Sequence, residues 1–121
     1  MKLIDIVNSY NSLCKLAEID LPIDISFNVT DIILEIEKHI NNYNEKKNKL
    51  LVKYGTSNNN IDYSIKNENI EVFTNELEAL NNIDINLNIN KLILPADIKI
   101  SAKILYSLRD YIERGDVVDG N

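Results

Sequence analysis

Apolar side chains recur along this chain with two different periods, and the change of period marks its elements. Between residues 29 and 54, Val29, Ile33, Ile36, Ile40, Tyr43, Leu50 and Tyr54 step by four and three in strict alternation, with Lys47 the one polar interruption. Residues three and four apart are neighbours on a helix, so this spacing builds one continuous apolar face. Ile32 and Leu51 widen that face beyond a narrow coiled-coil seam. The pattern predicts a long amphipathic helix from about Ser26 to Tyr54, with Gly55 where a left-handed C-cap is expected. A shorter stripe of Ile6, Tyr10, Leu13 and Ala17 predicts a first helix over about Ile6 to Glu18, capped by Asp5 and ended by Leu21-Pro22. Ile70, Phe73, Leu77 and Leu80 predict a third helix behind Asn67. Ile104, Leu105, Leu108 and Ile112 predict a last one over about Ala102 to Glu113, behind Ser101.

Elsewhere the period is two. Ile83, Ile85, Leu87 and Ile89 alternate with Asp84, Asn86, Asn88 and Asn90, the signature of a strand with one buried and one wet face. Ile61, Tyr63 and Ile65 form a shorter candidate strand after the polar turn at 56–60. The expected fold is α+β and mainly helical. It has one long helix, three shorter helices and a small sheet of two or three short strands. It is read as one domain over residues 1–121, with 115–121 a loose tail.

Charge refines this picture. Asp31, Glu35 and Glu37 sit in the first half of the long helix, whereas Lys46, Lys47, Lys49 and Lys53 sit in the second, as the helix dipole favours. The net charge of −6 argues against a general nucleic-acid binder, because phosphate affinity comes from clustered cations. No apolar run reaches the roughly 20 residues needed to span a bilayer, and Asp5 interrupts the start before a signal-peptide core can form. Cys14 is the single cysteine, which excludes an internal disulfide and suits a reducing compartment. A cytoplasmic protein in a bacterial host is expected. Ile and Asn are abundant, Arg is scarce beside Lys, and Trp is absent, a set that AT-rich codons encode.

The residue types that carry catalysis are sparse. His39 is the one histidine, with no HExxH or CxxC partner for a metal. Glu35 and Glu37 are two apart on a helix and do not face each other, so with Glu45 they read as a solvated face. The three glycines form no phosphate loop, and no serine or cysteine sits in a nucleophile elbow. Asp84, Asn86, Asn88 and Asn90 lack the looped arrangement that Ca²⁺ prefers. The expectation is a non-enzymatic protein with no cofactor and no metal.

A helix over residues 26–54 would be about 43 Å long, against roughly 35 Å across a compact chain of this size. The first helix is too short to cover its stripe. Ile33, Ile36, Ile40, Tyr43, Leu50 and Tyr54 are therefore the expected protein-interaction residues, for self-association into a homo-oligomer or for docking a phage or host protein. The alternative is a small acidic inhibitor of a host enzyme or defence complex, mimicking nucleic acid by its charge; it requires acidic residues gathered on one exposed face.

Four segments carry a resemblance. LCKLAEIDLP (13–22), EKKNKLLVKYG (45–55), ENIEVFTNELEALNNIDI (68–85) and ISAKILYSLRDYI (100–112) resemble a domain-of-unknown-function family of small phage and prophage proteins of Gram-positive bacteria. The KLLxKYG end of the long helix is its most specific part. Members of that family often carry a basic or aromatic patch after the Leu-Pro pair, where this chain has Ile23-Asp24-Ile25-Ser26-Phe27, so that stretch departs from the pattern. The resemblance implies a phage setting and no catalytic residues.

Overall fold

A computed structural model describes residues 1–57 and 63–113. It is mainly helical, with four α-helices and a small antiparallel sheet: α1 (Leu3–Ala17), α2 (Ile23–Tyr54), β1 (Gly55–Thr56), β2 (Ser64–Ile65), α3 (Ile70–Asn81) and α4 (Ala102–Ser107). The chain divides into two compact units. One comprises Met1–Val7 and Lys38–Ile85, the other Asn8–Glu37 and Asn86–Asn121. The expected tail at 115–121 and most of the expected strand at 61–65 lie outside the described residues.

Helix α1 starts three residues before the expected position. The Lys2 carbonyl accepts the amides of Asp5 and Ile6 at 3.0 and 3.2 Å and closes the first turn. Asp5 is thus not a cap but a first-turn acid, where it complements the dipole opposite Lys15 in the last turn. Helix α2 also starts earlier, at Ile23 rather than Ser26. Pro22 both blocks the end of α1 and launches α2, since its carbonyl accepts the amides of Ile25 and Ser26 at 3.0 Å. The helix runs 32 residues, about 48 Å at 1.5 Å per residue.

In the first unit the core is Leu3, Tyr43 and Leu80, with Ile4, Val7, Leu50, Leu77 and Ile85 packed against it. The Tyr43 hydroxyl donates to Asn81 Oδ1 at 2.7 Å, tying α2 to the end of α3. Asn69 Nδ2 donates to the Tyr54 carbonyl at 3.1 Å and so occupies one of the carbonyls that a helix end leaves unpaired. Asn67 does not cap α3. It opens a 3₁₀ turn, Asn67–Asn69, that feeds directly into the helix.

Gly55 is no left-handed cap either. It opens β1, paired with Ile65 in an antiparallel register, and its φ lies outside the left-handed region. Glycine is needed there for a different reason: a Cβ would stand 2.6 Å from the Leu51 carbonyl oxygen and 3.1 Å from that of Ser64.

The alternating segment from Ile83 is the main departure from expectation. Side chains do alternate, Ile85, Leu87 and Ile89 half-buried between exposed neighbours, but no ladder forms along it. Pairing is confined to the bridge Lys2↔Asp84, where Leu3 N donates to Ile83 O at 2.9 Å and Ile85 N to Met1 O at 2.8 Å. Period-two burial records extended backbone lying on an apolar surface, and hydrogen-bonding to another strand is a separate requirement.

In the second unit the fully buried side chains include Leu13, Leu16, Ile32, Ile36, Leu92, Leu108 and Tyr111. Ser9 Oγ and Tyr111 Oη lie 2.6 Å apart within it. Helix α4 begins as expected, with Ser101 Oγ accepting the Ile104 amide at 3.2 Å, but it ends at Ser107 and not near Glu113. Turns follow, because Leu92 pairs with Ile112. Its amide donates to Tyr111 O and its carbonyl accepts from Glu113 N, both at 2.7 Å. Those bonds satisfy backbone groups that a longer helix would have used.

Candidate interaction surface on the long helix

Helix α2 presents both a covered and an uncovered face. Of the six residues expected to contact a partner, Ile36 (0% exposed) and Tyr43 (4%) are core residues. Ile33, Ile40, Leu50 and Tyr54 are half-buried, and Leu50 packs on the first unit's core. The four-three stripe therefore holds α2 to its own chain, and Ile36 and Tyr43 are beyond a partner's reach while the fold stays closed.

A second apolar series, which the stripe overshadowed, is open to solvent. Ile23, Phe27 and Leu34 are 74%, 65% and 62% exposed. Their spacing of four and seven puts them within a narrow arc of one helix face. Exposed Asp24 and Asp31, themselves seven apart, run along one side of it. A single exposed leucine is ordinary, but aligned aliphatic and aromatic side chains on one ridge are an uncovered surface. The signal was present in the sequence as a weaker series with the same helical repeat; it is split by Thr30 and shorter than the stripe beside it.

The C-terminal half of α2 and α3 enclose a groove of about 490 Å³ lined by Leu50, Ala79, Leu80 and Ile83, with Lys46, Lys49 and Glu76 around it. The Lys49 ammonium lies 3.6 Å from Glu45 within α2, an exposed pair of little weight. Lys53 lies over the Tyr54 ring at 5.0 Å, and its pKa is pushed up by hydrogen bonding to Tyr54.

Polar groups elsewhere serve the fold. Glu37 is not simply solvated: it accepts a hydrogen bond from the Tyr10 hydroxyl at 2.9 Å. That bond, with a smaller contribution from Cys14, pushes the Tyr10 pKa up to about 12. Burial raises that of Tyr43. A smaller polar cleft, lined by Asn28, Asp31, Ile32, Asn88, Ile89 and Asn90, holds Asp31 as its one ionisable group. No group of three or more His, Cys, Asp or Glu is placed to hold a metal among the described residues. Among the same residues no helix is long and apolar enough to cross a membrane.

Comparison with family models, with curated proteins and with solved structures finds no match to this chain.

Proposed function

We propose that this chain is a non-enzymatic accessory protein that acts by binding another protein through its long helix. A phage or prophage setting is carried by the four resembling segments alone. The observation that supports the binding role is the ridge of Ile23, Phe27 and Leu34, left 62–74% exposed on a helix whose opposite face is packed. Solvent-facing apolar side chains in a row are kept at a cost in solubility, and a protein partner is the ordinary reason for them. The ridge takes over the role that the stripe of Ile33, Ile36, Ile40, Tyr43, Leu50 and Tyr54 held in the sequence.

The test is site-specific photo-crosslinking of the full chain in lysogenic cells. A photoreactive side chain at position 27 or 34 should yield a discrete protein adduct, whereas one at exposed Asn11 on α1 should not. Equal labelling from all three positions, or none from 27 and 34, refutes the reading.

A further inference from the structure

The extended segment at 86–91 has backbone groups with no use inside the chain, and it borders the polar cleft on α2. We propose that this cleft binds the amino terminus of an extended peptide, whose ammonium pairs with Asp31 and whose backbone adds to the segment at Leu87 and Ile89. The site lies wholly within the second unit and uses none of the ridge's apolar residues. It is therefore a further binding site and does not rest on the role given to the ridge.

The edge that faces α2 follows from the segment's neighbours. In extended backbone the N–H and C=O of one residue point to one side and those of the next residue to the other. The Leu92 amide and carbonyl are bonded to Tyr111 and Glu113, which assigns the even-numbered residues to that side. The Lys91 carbonyl instead accepts from Asn28 Nδ2 on α2 at 3.5 Å, which assigns the odd-numbered residues to the α2 side. Leu87 and Ile89 therefore turn their backbone groups toward α2, and neither makes a hydrogen bond among the described residues. Such groups bond water or another chain, because burying them unpaired is costly. Between 86 and 90 the segment carries none of the charges or prolines that keep edges from pairing. Donors and acceptors repeating at strand spacing are what an added peptide backbone matches.

The cleft itself selects a chain end. It holds about 300 Å³ between Asn28, Asp31 and Ile32 on α2 and Asn88, Ile89 and Asn90 on the segment. Those segment residues give about 10 Å of edge at 3.3 Å each, room for only a short stretch of peptide. The Asn28–Lys91 contact closes one end, so a passing strand fits less well than a terminus. Asp31 is the one ionisable residue of the lining, and its carboxylate has no ion-pair partner among the described residues. A lysine side chain also brings a cation, but its methylene stem would lie against the amides of Asn28, Asn88 and Asn90. An α-ammonium carries the charge on the backbone itself, with no stem to place.

The experiment is nuclear magnetic resonance of the full chain titrated with trialanine amide. Binding should be weak, with a Kd of about 1 mM for so few contacts. It should slow amide exchange at Leu87 and Ile89 and leave Asn88 and Asn90 unchanged. N-acetyl-trialanine amide should bind about 10-fold or more weakly, the loss expected for one charged hydrogen bond. Asp31→Asn, at an exposed position, should weaken the free peptide by a similar factor and leave the acetylated one as it was, which ties the ammonium to that carboxylate. No response at peptide concentrations well above that Kd, equal binding of the acetylated form, or protection at Asn88 and Asn90 in place of Leu87 and Ile89 overturns the proposal.

Discussion

Two residues of α2, Ile36 and Leu34, are only two positions apart yet should respond to truncation in opposite ways. A helix turns 100° per residue, so their side chains point in nearly opposite directions. Ile36 is fully buried and Leu34 is 62% exposed. Ile36→Ala removes buried methyl and methylene groups and leaves a cavity that the surroundings fill only in part, at about 2–5 kcal/mol. That is a large share of the 5–15 kcal/mol typical of a folded domain. Leu34→Ala gives up little burial and exchanges one good helix former for a better one, so its effect should stay within about 0.5 kcal/mol. Urea unfolding followed by far-ultraviolet circular dichroism measures both. Only Ile36→Ala should shift the midpoint strongly. Equal losses for the two variants in dilute solution would mean that the helix is turned differently from the orientation described.

Three further outcomes probe local features. Gly55→Ala should cost about 1–3 kcal/mol by overpacking, since its Cβ meets the Leu51 carbonyl at 2.6 Å; Gly55→Asn should be no better, although a left-handed cap would have tolerated it, and denaturant midpoints of the two decide the point. Tyr10 should titrate near 12 by tyrosinate absorbance and move back toward its ordinary 10.0 in Glu37→Gln; because the folded value is the higher, the stability it confers is complete below pH 10 and vanishes as pH rises through 12. Ser101→Ala should cost about 1 kcal/mol, seen as faster amide exchange at Ile104, whose N–H the serine oxygen accepts.

The long helix was legible because its signals were redundant. A stripe at helical spacing and a charge gradient along the dipole both pointed to one element, whose first turn was missed, and Gly55 marked its end as the start of β1 rather than as the left-handed cap expected. That turn depends on Pro22, whose role as a helix starter is masked by its role in ending α1. The alternation at Ile83–Asn90 was misleading for a definite reason. Period two reports which side chains face an apolar surface; it cannot report whether another strand lies alongside. Helix α4 was overextended on the same grounds, since nothing local at Ser107 announces that Leu92, distant in sequence, will take the backbone groups of Tyr111 and Glu113.

The exposed ridge was harder to read than the fold because a helix can carry two apolar series at once. The longer one, through Ile36 and Tyr43, is covered by the chain's own side chains. Length and regularity measure how firmly a face is specified, and a core face is specified most firmly, since each of its positions bears a packing cost. A partner face needs only a few uncovered anchors with charges that set their register. The proposed face of Ile23, Phe27 and Leu34 beside Asp24 and Asp31 is short for that reason, and its brevity suits a surface that must also remain compatible with water.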